Sequence, residues 1–166
     1  MENLELLRFR RSVRTFQNKS ISRSQLEEIV DVARFAPTAR NVQPWEFVVV
    51  TDKHKLTELA NLAENGRFIA GAAACIAVFC TDTKYYLEDG CAATCNILLA
   101  AAALGIGSCW VAGDKKSYSG QVSTLLNASE GVKLISLIAL GYAQEKDCFK
   151  LSVKRQLKEL LHWEKF

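Results

Sequence analysis

The side chains of this sequence best placed to do chemistry are arginines, amides and small hydroxyls. In "RFRRSVRTF", residues 8–16, Arg10, Ser12 and Arg14 stand at alternate positions. An extended segment carries alternate side chains on one side, so two guanidinium forks and a hydroxyl would face one ligand. Arginine grips phosphate oxygens through parallel N–H bonds, which makes a phosphate monoester a fitting partner. A solvated basic face or a weak nucleic-acid patch would use the same residues, and spacing alone leaves these readings open. A second group lies in "FAPTARNVQPWEF", residues 35–47, which holds both prolines of the chain, Pro37 and Pro44. A plain connector needs one breaker. Two of them around Thr38, Arg40, Asn41 and Gln43 indicate a loop held in shape to present something.

Other chemistries find less support. His54 sits among Asp52, Lys53 and Lys55 at a helix start, where a solvated face is expected, and His162 in "LLHWEKF" suits packing better than catalysis. A Ser-His-Asp triad lacks a nucleophile elbow. Six cysteines occur, at 75, 80, 91, 95, 109 and 148, most of them inside apolar runs, where a thiol behaves as a small buried hydrophobe. A thiol enzyme stays a distant alternative for that reason. Cys91 and Cys95 share a helix face but have no companions at metal-ligand spacing. No acidic pair stands out for general acid–base work. "GIGSCW" begins like a dinucleotide-binding glycine loop, yet it follows a helix and enters a strand, the reverse of the required order. A P-loop is likewise absent.

A chain of 166 residues, 49% hydrophobic and 23% charged, is expected to form one globular domain over residues 1–166. Its net charge of +3 makes no case for nucleic acid. The first twelve residues, "MENLELLRFRRS", contain no apolar signal core, and "CAATCNILLAAAALGIG" (91–107) is short for a membrane span. Reduced thiols and a cytoplasmic location are expected. The patterning predicts helices over residues 3–9, from "SISRSQLEE" onward, and over 54–63, 85–104 and 120–128, with a partly helical tail. The second helix would start at a Ser22/Gln25 or Ser24/Glu27 capping box and run an apolar stripe of Leu26, Ile29, Val30, Ala33 and Phe35 until Pro37. Strands are predicted at 45–51, 73–81, 107–113 and 132–143, the second apolar on both faces and therefore central.

"RRSVRTF", "APTARNVQPWEF", "NILLAAAALGIGSCWVAG" and "LGYAQE…VKRQLKELLHW" occur in the order seen in the nitroreductase family of FMN-dependent oxidoreductases, and the resemblance covers nearly the whole chain. It implies an α+β fold, with a mixed central sheet flanked by helices, and an intertwined homodimer holding FMN at its subunit interfaces. Arg10, Arg11, Ser12 and Arg14 then resemble the residues that hold the FMN phosphate and ribityl chain. Pro37, Thr38, Ala39 and Asn41 resemble the segment that reaches the flavin from the partner. Val111, Ala112 and Gly113 match the strand end whose backbone lies beside the isoalloxazine. Lys154 and Arg155 match a C-terminal basic pair that completes the phosphate site. Such a pair is often separated by one residue in the family but is adjacent here, and Ser152 is a candidate for one of its slots. Asn65 and Arg67 match polar contacts to the pyrimidine edge. The chain departs from many members between its second strand and long helix, where only "TDTKYYLED" stands in place of a helical excursion. A more open flavin face follows, with Tyr85 and Tyr86 as candidate lining, although packing at the helix start accounts for them as well.

The resemblance implies hydride transfer from NADH or NADPH to flavin N5, then ping-pong reduction of a small-molecule acceptor such as a quinone or nitroaromatic. A flavin-fragmenting or reductively dehalogenating relative is the alternative within the fold, and a non-enzymatic basic binding module is the alternative outside it. The apolar circumference of residues 91–104 independently suggests a shared interface.

Overall fold

The computed structural model describes residues 3–144 and 153–166, so Cys148 and Ser152 lie outside the described residues. Helices and strands alternate as α1 (Asn3–Phe9), α2 (Arg23–Ala33), β1 (Trp45–Val50), α3 (Lys53–Leu62), β2 (Ala74–Thr81), α4 (Tyr86–Ala103), β3 (Gly107–Ala112), α5 (Ser119–Leu125) and β4 (Val132–Gly141). Each lies close to its expected position. The four strands form one sheet in the order β1-β2-β4-β3 with antiparallel neighbours. Its parallel component among the described residues is a single bridge from Ser12 to Ser108 of β3.

Strand β2 explains how the sheet sits. Ala74, Ile76, Val78 and Cys80 face one core with Leu26, Ile29 and Ala33 of α2 and Ile97 of α4. Cys75, Ala77 and Phe79 face the other with Leu56 and Leu59 of α3 and Val122 of α5. Side chains alternate along a strand, so a strand apolar at every position must lie between two layers. The β2–β4 ladder is interrupted once: Val78 pairs with Ser136 and Phe79 with Leu134, leaving Ile135 as an extra residue. Such a bulge bends the strand and breaks the alternation. Ile135 and Ser136 accordingly both turn toward α4, Ile135 into its core and Ser136 into a hydroxyl contact with Thr94 at 2.8 Å.

The helix ends follow side-chain chemistry. Ser22 caps α2 reciprocally with Gln25: each backbone N–H donates to the other's side chain at 3.2 Å. Of the two boxes expected, this is the one that forms, and Glu27 instead pairs with Arg23 at 2.8 Å. One expectation for α2 is corrected. Phe35 does not extend the apolar stripe, because the helix ends at Ala33 and the ring stands outside under the Arg34 guanidinium. Helix α4 lies close to the sheet at Gly90, where a Cβ would come within 2.6 Å of Ile135 Cγ1 and 2.9 Å of Cys80 Sγ. Its other side is open enough that Cys95 is exposed and Cys91 half-buried, whereas Cys75, Cys80 and Cys109 are buried. His162 packs, stacking on Phe166 at 4.3 Å, in a tail exposed from residue 153 to 166.

Candidate functional site

Strand β3 is an outer strand, so half of its backbone groups have no partner in the sheet. Which half follows from the ladder. Gly113 N–H donates to Ile135 O at 2.9 Å, which directs the odd-numbered backbone groups of β3 toward β4 and the even-numbered ones outward. Ser108 C=O does point outward, accepting from Val13 N–H at 2.9 Å. Residues 12–14 thus run extended beside the start of β3, with Val13 buried and Ser12 and Arg14 exposed. The extended alternation holds for Ser12 and Arg14 on either side of Val13, whereas Arg10 N–H closes the last turn of α1 on Leu6 O at 3.1 Å; all three act on Cys109. Burial pushes that thiol up, while Arg14, a hydrogen bond from Ser12 and Arg10 all pull it the other way. Three polar side chains therefore converge on one stretch of β3. Arg11 turns elsewhere, donating to Arg8 O and, at 2.8 Å, to Arg10 O at the end of α1.

The far end of the same edge is built differently. Ala112 is exposed, and its N–H points outward by the same parity. The outward Ala112 C=O is taken by the hydroxyl of buried Tyr118. Gly113 presses against β4, where a Cβ would come within 2.6 Å of Leu134 Cγ, and both Gly113 N–H and Asp114 N–H donate to Ile135 O, the bulged residue, at 2.9 and 3.3 Å. Ser108 and Ala112 are four residues apart, about 13 Å along a strand. The edge thus offers cationic and hydroxyl groups at one end and, at the other, a backbone donor with no partner among the described residues.

Asn65 and Arg67 lie beside this edge. They are exposed around a short 3-10 helix, Arg67–Gly71, whose Phe68 ring sits 5.7 Å from the Arg14 guanidinium carbon. Burial and the charge of Glu64 hold the Tyr118 hydroxyl above its usual range, which ties the same segment to the Ala112 end.

The double-proline loop stands on α4. Thr38 Oγ1 donates to Asp89 Oδ2 at 2.8 Å, Ala39 N–H donates to Asp89 Oδ1 at 3.2 Å, and Gln43 N–H donates to Thr38 Oγ1 at 3.1 Å. Between these contacts Arg40, Asn41 and Gln43 adopt left-handed φ values of 55°, 57° and 51°, which L side chains rarely do. Asp89 is buried and was not singled out in the sequence; its position in the first turn of a helix facing a proline-bounded loop was the available signal. Pro37 and Asn41 are exposed beside this latch. Tyr85, 39% exposed, lines a cavity of about 180 Å³ with Ala39, Arg40, Val42, Thr83, Lys84 and Asp89. Tyr86 turns away to donate to Asp114 Oδ1 at 3.0 Å with Lys133 over its ring, so packing accounts for it.

One chain does not bring every candidate together. Among the described residues the loop's side-chain hydrogen bonds run to Asp89 and within itself, and its Pro44 C=O accepts from Thr81 N–H at 2.9 Å. Arg155 donates to Glu159 O at 3.0 Å in the exposed tail, and no hydrogen bond or ion pair among the described residues joins Lys154 or Arg155 to the β3 edge. No metal-ligating cluster occurs among the described residues, and no helix there is long and apolar enough to cross a membrane.

Comparison with known proteins bears on this arrangement. The sequence matches the description "Nitroreductase family" over residues 7–84 and "Putative TM nitroreductase" over residues 57–165. A protein of Archaeoglobus fulgidus described as "Putative NADH dehydrogenase/NAD(P)H nitroreductase" is 34% identical, the match covering 99% of each chain. This chain belongs to the nitroreductase family. Among solved structures, an "FMN-dependent Nitroreductase" of Clostridium difficile R20291 superposes with a TM-score of 0.89 at 26% identity, covering 98% of this chain and 99% of the other. A "putative nitroreductase in complex with fmn" of Desulfovibrio desulfuricans gives 0.82 at 30% identity, covering 100% and 99%. The expected α+β nitroreductase fold is thereby established for this family member.

The chemistry of the β3 edge fits FMN. Arg10, Ser12 and Arg14 suit a phosphate, the extended strand spans a ribityl chain, and Ala112 N–H suits a ring acceptor.

Proposed function

We propose that the chain is an FMN-dependent NAD(P)H oxidoreductase, and the observation that carries this is the outward Ala112 N–H set one strand-length from Arg10, Ser12 and Arg14. Bound FMN supplies the redox chemistry, taking a hydride from NADH or NADPH and passing two electrons to an acceptor such as a quinone or nitroaromatic. The protein's contribution is positional and electrostatic. Arg10 and Arg14 neutralise the phosphate, Ser12 donates to it, and Ala112 N–H orients the ring edge. Exposed Asn65 and Arg67 offer donors to the pyrimidine side, where negative charge grows on reduction. With FMN held by these residues, donor and acceptor would use the one site in turn, and ping-pong kinetics would follow. The names of the relatives above support this reading.

The working unit is a homodimer. Leu4, Leu7 and Phe9 of α1 and Val153, Leu157, Leu160, Leu161, Trp163 and Phe166 of the tail are all exposed, more apolar surface than a lone soluble chain usually leaves open. A second copy covers these surfaces, brings its Pro37, Thr38, Ala39 and Asn41 to the flavin, and lets Lys154 and Arg155 complete the phosphate site. Sedimentation checks this, since FMN bound to a demonstrable monomer contradicts a shared site. The described thiols are free, which suits a reducing cytoplasm.

The visible spectrum of the purified protein, with its chromophore identified by mass, tests the reading. FMN with NADH or NADPH turnover supports it. A colourless protein that does not bind added FMN sinks it, and salt-sensitive nucleic-acid binding would then favour a basic module.

A further inference from the structure

The strand end that offers Ala112 N–H is not held by the sheet alone. Beyond Ala112 the ladder stops, and the next two N–H groups crowd onto one carbonyl, Ile135 O, at 2.9 and 3.3 Å. Gly113 follows, and a glycine lets the peptide plane before it turn with little steric resistance. The chain then bends through Lys115 at a left-handed φ of 57°. Lys116 N–H closes the bend on Gly113 O at 3.3 Å, and Tyr118 returns beneath the strand. There Tyr118 is buried, and its hydroxyl donates to Ala112 O. This contact fixes the direction of the Ala112–Gly113 peptide.

We propose that Tyr118 is a positioning residue for the cofactor: its hydroxyl holds the Ala112 carbonyl down and away, so that only the Ala112 N–H faces the ring edge. The inference rests on the FMN reading. It concerns Tyr118 alone among the tyrosines, since Tyr86 anchors the same turn one step farther along, through the Asp114 side chain rather than the backbone. Without the hydroxyl, the peptide can rotate and set a carbonyl dipole toward a ring nitrogen that is an acceptor when oxidised and carries a proton when reduced. Loss of the grip therefore weakens binding of oxidised FMN and makes the bound flavin easier to reduce.

Tyr118→Phe keeps the ring and removes only the hydroxyl. Two measurements test it, with thermal unfolding as the check on fold. In the protein freed of flavin, amide exchange at Gly113, whose N–H shares the gripped peptide, should quicken about fivefold, the worth of one net hydrogen bond, while that at Cys109 and Val111 stays unchanged. Titrated FMN should bind about fivefold more weakly, and the midpoint potential of the bound flavin should rise. Unchanged exchange at Gly113 overturns the grip. Faster exchange with unchanged FMN affinity and potential overturns its role toward the cofactor. Wild-type protein that binds no FMN overturns the cofactor reading instead, and the exchange measurement then still decides whether Tyr118 holds the strand end.

Discussion

Replacing Asp89 with alanine should release the double-proline loop. Its buried carboxylate accepts Thr38 O–H at 2.8 Å and Ala39 N–H at 3.2 Å, and hydrogen bonds to a charged group contribute about 1.5–3 kcal/mol each. The latch therefore supplies about 3–6 kcal/mol of local stability. Against it stand Arg40, Asn41 and Gln43 in left-handed conformations, at about 1 kcal/mol each, or about 3 kcal/mol in all. With the latch the ordered loop is favoured; without it the strain is unopposed, and opening should become about two to four decades more frequent. Arg40 makes the event visible, because trypsin cleaves after an arginine once the loop is open. Mass spectrometry of a limited digest should show faster cleavage between Arg40 and Asn41 in Asp89→Ala. Thr38→Val, which removes the hydroxyl's bonds to Asp89 and from Gln43 N–H, should also speed cleavage. Cleavage at the wild-type rate in Asp89→Ala would refute the reasoning outright.

Arg14→Ala should weaken FMN binding by about tenfold or more, since a charge-assisted phosphate contact is lost; unchanged affinity in a fluorescence titration removes the phosphate assignment. Gly90→Ala places a methyl group within 2.6 Å of Ile135 Cγ1 and 2.9 Å of Cys80 Sγ, so overpacking should cost about 1–3 kcal/mol in urea unfolding. Burial pushes the thiols of Cys75 and Cys80 from 9.0 up to about 12. Between those values the unfolded chain releases protons that the folded chain keeps. Stability present below pH 9.0 should then fall as pH rises, by up to about 1.4 kcal/mol per thiol per pH unit. Urea midpoints on either side of that pH check the slope, which Cys75→Ala should flatten.

Much of this was legible in the residues because one-dimensional signals were strong. The unbroken apolar run of β2 placed it between two layers, and Gly105, at a φ of 71°, stands after α4 where a helix end was expected. Ser12 and Arg14 were legible as a pair because residues 12–14 are extended, while Arg10 sits at the end of α1. Contacts between distant segments were not legible. Nothing local couples Asp89 to Thr38 or Tyr118 to Ala112; each pair is created by the way helices lie on the sheet. The bulge at Ile135 was hidden for a similar reason, since a wholly apolar strand shows no break when its alternation slips by one residue. Phe35 misled because helical spacing continued past the point where the backbone stopped being helical.

The left-handed residues of the proline loop also bear on the thermodynamics of capture. A segment that becomes ordered only on meeting its ligand gives up conformational entropy at that moment and adds a folding contribution to the heat capacity. Here that ordering is completed when α4 docks on the sheet and Asp89 closes on Thr38. Whatever meets the loop afterward meets a rigid body, and its heat-capacity change should follow the apolar area buried, with no added folding contribution.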